Sequence, residues 1–225
     1  MLHTPALTIL LSAADIVGAA QPSHPKFITT VAGNGRTGHE GDNGPATDAS
    51  FVFMDSVTPP NSHGDFYISD YDAHVIRKVN ASGVITTIAG QARESGYSGD
   101  GGPAIDAKLS NPKGLYFDES SGSIYVADYG NHRIRMISSS GHISTVAGDG
   151  TAGTSGENVL ATEAKLSSPS TVIGNTKGEI FIADQEDWSG PKDFDRGWQW
   201  YLWMARRRRT GNRVTTVESG FTCSE

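Results

Sequence analysis

The sequence predicts an all-β chain, a partial β-propeller of about three four-stranded antiparallel blades, and three observations predict it. The first is a repeated segment: Thr29-Thr-Val-Ala-Gly33 returns as Thr86-Thr-Ile-Ala-Gly90 and Ser144-Thr-Val-Ala-Gly148, a period of 57–58 residues. The second is a pair of further motifs that keep the same period. Gly41-Asp-Asn-Gly-Pro-Ala46 is followed by Gly99-Asp-Gly-Gly-Pro-Ala104 and the decayed Gly156-Glu-Asn-Val-Leu-Ala161, while Ile68-Ser-Asp-Tyr71 is followed by Val126-Ala-Asp-Tyr129 and Ile182-Ala-Asp-Gln185. Self-similarity at a fixed period is the mark of a repeat architecture. The third is composition: 27 glycines among 225 residues and 19% charged residues suit many tight turns around short strands.

The central repeat shows why each unit is a sheet of its own. Lys113–Phe117 reads as a short strand, ended by the turn formers Asp118-Glu-Ser-Ser-Gly122. Ser123–Ala127 is almost continuously apolar, so both of its faces are expected to be buried. After the turn Asp128–Asn131, His132–Ile137 alternates polar and apolar, and His142–Ala147 follows the turn Ser138–Gly141. Such a unit cannot cover both faces alone, and stacking successive units around an axis does so.

The motifs Asn-Pro-x-Gly, Ile-Tyr-Val-Ala-Asp, Asn-x-Arg-Ile-Arg and Thr-Val-Ala-Gly resemble the NHL repeat, in the long-loop form that carries Gly-Asp-Gly-Gly-Pro-Ala between blades. The resemblance covers residues 27–184. It implies an all-β propeller, usually six-bladed, often serving as a binding platform. Some propeller lyases that resemble this family hold a metal and histidines in the axial channel, but no matching set of residues is identifiable here.

The ends depart from the repeat. Phe27–Val31 is expected as an unpaired leading strand. The first strand of the first blade, Met54–Pro60, is expected to be short, because Pro59 and Pro60 offer no amide donors. The blades occupy 21–184. Residues 185–210, with all four tryptophans and Arg206–Arg209, read as an insertion replacing the third strand of the last blade, or as a gene-model artefact. Residues 211–225 read as a returning strand and tail. Three blades fall short of the 4–8 that close a propeller. The chain is therefore expected to be a piece of a larger array, an open fragment, or part of a homo-oligomer that closes the ring.

Residues 1–20 hold an apolar run with small residues at Gly18 and Ala20, and read as a secretory leader cleaved before Gln21. Against this stand Asp15 within the run and the lack of a Lys or Arg before Lys26, as in a disordered or misannotated start. A secreted or extracellular location is expected, with a cytoplasmic one as the alternative. The run is too short and interrupted for a stable membrane span. Asn80-Ala-Ser82 is an N-glycosylation sequon, a triplet common by chance. Cys223 is the single cysteine, so no intrachain disulfide forms.

The net charge of −7 gives no electrostatic footprint for nucleic acid. The Trp- and Arg-rich tail is the one stretch that suits RNA or a membrane surface, and a disordered or untranslated segment suits it better. No nucleophile motif stands out, so no catalytic residue and no cofactor is assigned. The Gly-Asp-Gly-Gly-Pro loops lack the Lys-Ser/Thr of a phosphate loop and the alternating acids of a calcium loop, and read as tight inter-blade turns. Asp70, Asp128 and Asp184 recur in every blade, as do His74 and His132 in two. These five are the metal-ligand candidates. The structural reading is that each Asp caps a turn or pairs with Arg77 or Arg135, and that the histidines mark a variable surface position. The expected function is a non-catalytic platform for a protein or glycan; the alternative is a lyase or hydrolase using a divalent metal in the axial channel.

Overall fold

Strand formation follows the apolar runs and the turn residues between them. The computed structural model describes residues 7–9, 28–154, 159–185, 200–207 and 214–220. The expected leader therefore lies outside the described residues except at 7–9. Strands β1 (Leu7–Ile9) and β2 (Thr29–Ala32) form an antiparallel ribbon. Three four-stranded antiparallel sheets follow in chain order. Blade I is β3 (Met54–Val57), β4 (Phe66–Asp70), β5 (Val75–Val79) and β6 (Ile85–Ala89). Blade II is β7 (Pro112–Asp118), β8 (Ser123–Asp128), β9 (Arg133–Ile137) and β10 (Ile143–Ala147). Blade III is β11 (Pro169–Gly174), β12 (Glu179–Gln185), β13 (Trp200–Arg207) and β14 (Val214–Gly220). In each sheet every strand pairs with the one before it in sequence, the meander of a propeller blade.

One expectation about the ends is corrected. The leading strand is not unpaired, because β1 bonds along β2 and meets main-chain groups that an edge strand would leave open. In the last blade β13 lies inside the segment set apart as an insertion, takes the place of the third strand, and pairs with β12 from Glu179↔Arg206 to Gln185↔Trp200. Strand pairing asks only for an extended chain in register, so a segment lacking the repeat's motif still completes the sheet. The first strand of blade I is short, four residues against seven in β7, and the chain leaves it just before Pro59 and Pro60.

The second strands carry the core. Every residue of β4 and β8 is buried, as their apolar runs require. Between blades I and II lie Tyr67, Ile76, Leu109, Leu115, Val126 and Ile143. Between blades II and III lie Tyr125, Ile134, Leu166, Val172 and Ile182. Removing such side chains from water, at about 1.5–3 kcal/mol each, is what holds one blade to the next. The first strands pack side by side, β3 on β7 and β7 on β11, so they form the inner edge of the array. The approach there is close. A Cβ at Gly114 of β7 would come within 2.7 Å of the Thr171 Cα of β11, which is why a glycine stands at that point.

Candidate binding face

The polar residues that recur in every blade are consumed by the architecture. Asp70 accepts hydrogen bonds from the Val52 and Phe53 amides (3.1 and 2.9 Å), and Asp128 from Ser110 (2.8 Å). Asp184 accepts from Ser167 with both oxygens at 2.9 Å. Each carboxylate thus pins the chain as it enters the first strand of its own blade. Asp128 also accepts from Asn131 Nδ2 (2.8 Å) and lies 3.2 Å from Arg135, the pairing expected for it. Burial pushes the Asp128 carboxyl up to about 6, against the pull of these donors. Asp70 is raised in the same direction and for the same first reason. It makes no direct bond to Arg77, so the expected Asp70–Arg77 pair is not formed.

The arginines turn instead to the inter-blade loops. Arg77 Nη2 meets Asp42 at 2.6 Å, and Arg135 Nη2 meets Asp100 at 2.7 Å, both arginine side chains being fully buried. Besides the Arg135 bond to Asp128, their remaining hydrogen bonds go to loop carbonyls, Ser50 and Glu40 for Arg77, and Ser98 and Lys108 for Arg135. Asp42 also accepts from the Thr87 amide, and Asp100 from Thr145. Burial acts to raise both loop carboxyls, but these hydrogen bonds and guanidinium charges outweigh it and hold them below the usual carboxylate range. The Gly-Asp-x-Gly-Pro loop is a latch: its Asp ties the loop to the third and fourth strands of the blade that follows. The sequence carried the signal, an Asp and an Arg recurring with one period, but the 35 residues between them hide the contact.

His74 and His132, both half-buried, join neighbouring blades. His74 Nδ1 accepts a hydrogen bond from the Asn111 amide (3.1 Å), and His132 Nδ1 from the Ser168 amide (3.0 Å). All four residues adopt positive φ, from 50° to 62°. Each histidine therefore reaches from one blade to the first-strand entry of the next. The glycines that close Thr-Ile-Ala-Gly90 and Thr-Val-Ala-Gly148 are required here, since a Cβ would strike the carbonyl of His74 or His132. Burial lowers the His74 pKa, which favours the neutral ring that this bond needs. The five metal-ligand candidates are thus tied into separate blades and joints. Among the described residues no three His, Cys, Asp or Glu side chains converge as a metal site would require.

A different set of side chains gathers at the inner edge. Where the first and second strands meet (Met54↔Asp70, Pro112↔Asp128), Phe53, Tyr71 and Tyr129 come together. Phe53 packs edge-on to Tyr71 with ring centres 5.9 Å apart, and Tyr71 lies 6.2 Å from Tyr129. The Lys113 ammonium stands 4.2 Å from the Tyr129 ring centre and 5.5 Å from that of Tyr71. Phe53 is 48% exposed, a large apolar side chain left open to solvent. Asp55 occupies in blade I the place that Lys113 holds in blade II, and it too is exposed. Three aromatic rings, an ammonium and a carboxylate thus form one patch across two blades. Such a patch offers flat apolar faces together with both signs of charge. The sequence reading missed it, although Asp-Tyr at the end of both second strands marked two of its rings.

Residues 109–135 match the NHL repeat. Human (Homo sapiens) Teneurin-4 is 40% identical over 87 residues, which span 33% of this chain and 3% of that protein. Mouse (Mus musculus) Teneurin-1 is 42% identical over 72 residues, 28% of this chain and again 3% of the relative. The chain therefore matches only a small part of these curated relatives. Among solved structures, an auxiliary nutrient binding protein from Bacteroides thetaiotaomicron VPI-5482 is 20% identical. It covers 77% of this chain and 38% of its own, at a TM-score of 0.49. With the repeated motifs and three meander sheets of one plan, the chain is built of four-stranded antiparallel blades, of which residues 109–135 match the NHL repeat.

Proposed function

We propose that the chain is a non-catalytic binding platform that takes a glycan or protein ligand on the face formed by Phe53, Tyr71, Lys113 and Tyr129, and that it works outside the cell. The observation that carries this reading is the contrast between wired and free polar groups. The recurring Asp70/Asp128/Asp184, Asp42/Asp100, Arg77/Arg135 and His74/His132 are spent on blade architecture, whereas the aromatic–lysine patch spans the inner edge of blades I and II with Phe53 open to solvent. An exposed Phe53 and half-buried Tyr71 and Tyr129, with neighbouring ring centres about 6 Å apart, suit contact with the apolar faces of sugar residues or with apolar side chains of a protein loop. Lys113 and Asp55 supply the directional contacts that select among ligands.

The test is a glycan array of neutral and uronic-acid oligosaccharides probed with the full chain and with its Tyr71→Ala/Tyr129→Ala variant. The reading expects a restricted set of retained sugars that the variant no longer holds. Equal retention by both proteins places binding elsewhere. The metal-dependent alternative keeps no support from the candidate residues, whose hydrogen bonds already hold them in separate blades.

A further inference from the structure

The turns between the third and fourth strands of blades I and II are equivalent by register, yet they differ in chemistry. In blade I the turn is Asn80-Ala-Ser-Gly83 and in blade II Ser138-Ser-Ser-Gly141, while the corresponding turn of blade III lies outside the described residues. The first alone places a hydroxyl two residues after an asparagine. Asn80 Oδ1 accepts from the Ser82 and Val84 amides, both at 3.0 Å, which folds the carbonyl side of the amide over the turn. Its Nδ2 makes no hydrogen bond among the described residues. Asn175, in the turn between the first and second strands of blade III, makes the same bonds with its Oδ1 but spends its Nδ2 on Glu179 at 2.8 Å. Ala81, Ser82 and Gly83 are exposed, and a Cβ added at Gly83 would meet nothing within 4 Å.

The position of this turn separates it from the binding face. Strand β5 runs from Val75, opposite Asp70, to Val79, opposite Phe66. The Asn80 turn therefore lies at the end of the sheet away from Tyr71 and Phe53. A bulky group on Nδ2 would stand in open solvent and leave the aromatic patch uncovered.

We infer that Asn80 is an N-linked glycosylation site, with Ser82 as the hydroxyl that the transferring enzyme reads; this rests on the extracellular reading above. In the reaction, Nδ2 of Asn80 forms a bond to the anomeric carbon of a lipid-pyrophosphate-linked oligosaccharide. The bond from that carbon to the pyrophosphate oxygen breaks, and Nδ2 gives up one proton. The turn already presents what this step needs: an amide nitrogen free of internal partners, and an exposed hydroxyl two residues on.

The experiment is cell-free translation of the full chain behind a cleavable leader, with microsomes, scoring only the protease-protected chain. The expected result is a slower band that peptide N-glycosidase returns to the unmodified position. Asn80→Gln and Ser82→Ala each abolish the slower band, and Ser82→Thr retains it. An unshifted protected chain, or a shift that survives Asn80→Gln, overturns the inference. Array binding by unglycosylated bacterial protein reports separately on the aromatic face, so the two readings fail independently.

Discussion

The outer half of each blade and the inner edge of the array are built on opposite rules. On the outer half, blades I and II are copies in chemistry: Arg77 repeats as Arg135, Asp42 as Asp100, and each loop is latched by the same bond at 2.6–2.7 Å. At the inner edge the equivalent positions diverge, with Phe53 answered by Asn111 and Asp55 by Lys113, while Tyr71 and Tyr129 are kept. Residues that hold a blade together are constrained by a partner that repeats. Residues that meet a ligand are free to differ, because the ligand touches each blade once. On the proposed function, the comparison separates architecture from recognition within one chain.

The sharpest way to break it is to remove a latch. Arg135→Ala leaves Asp128 fully buried without its cation, and should cost about 3–5 kcal/mol of unfolding free energy in a urea titration. Arg77→Ala should cost distinctly less, because the partner it abandons, Asp42, is 36% exposed and can take up water. Equal losses would contradict the different wiring of the two blades. Leu109→Ala, in the core between blades I and II, should cost about 2–5 kcal/mol by the same measurement.

Acid should act on the two kinds of joint in opposite senses. The Asp128 pKa is about 6 in the fold against a reference of 3.8, so the native state binds this proton more tightly. Its contribution is complete below the reference value and is lost as pH rises towards 6, a change of about 3 kcal/mol. Asp128→Asn should flatten that slope in a series of melts from pH 4 to 7. The His74 pKa is lowered, so its contribution is present above the ordinary histidine value and is lost as pH falls through the lower folded value. Once protonated at Nδ1, the ring faces the Asn111 amide donor to donor and the inter-blade bond breaks. Asp72 and Asp70, near that ring, oppose the shift without reversing it. A His74→Ala variant should lose the acid-side fall that the intact protein shows.

The smallest expected effect on stability is at the inner edge. Tyr71→Ala/Tyr129→Ala removes rings held at the surface, and should move the unfolding free energy by about 1 kcal/mol or less per ring.

Much of the architecture was legible because it is written locally. The apolar runs at Phe66–Ile68 and Ile124–Ala127 announce fully buried strands, and Pro59-Pro60 announces a short first strand. Contacts that join distant segments were not legible. The Arg–Asp latches span 35 residues and the histidine joints 36 or 37, and nothing in a local pattern points from one end to the other. Trp200–Arg207 was read as foreign because it lacks the repeat motif, yet a strand needs only extended backbone in register. The aromatic patch escaped for a related reason: Phe53 lies in the eroded blade, where the alignment of motifs is weakest.

The central claim, that recognition lives at the inner edge and architecture elsewhere, is tested most directly by one equilibrium titration. An oligosaccharide selected on the array is titrated into the intact chain and into Tyr71→Ala/Tyr129→Ala at matched temperature and salt. The account predicts binding at least about tenfold weaker in the variant, the equivalent of about 1.4 kcal/mol. Unchanged affinity in a folded variant would contradict it.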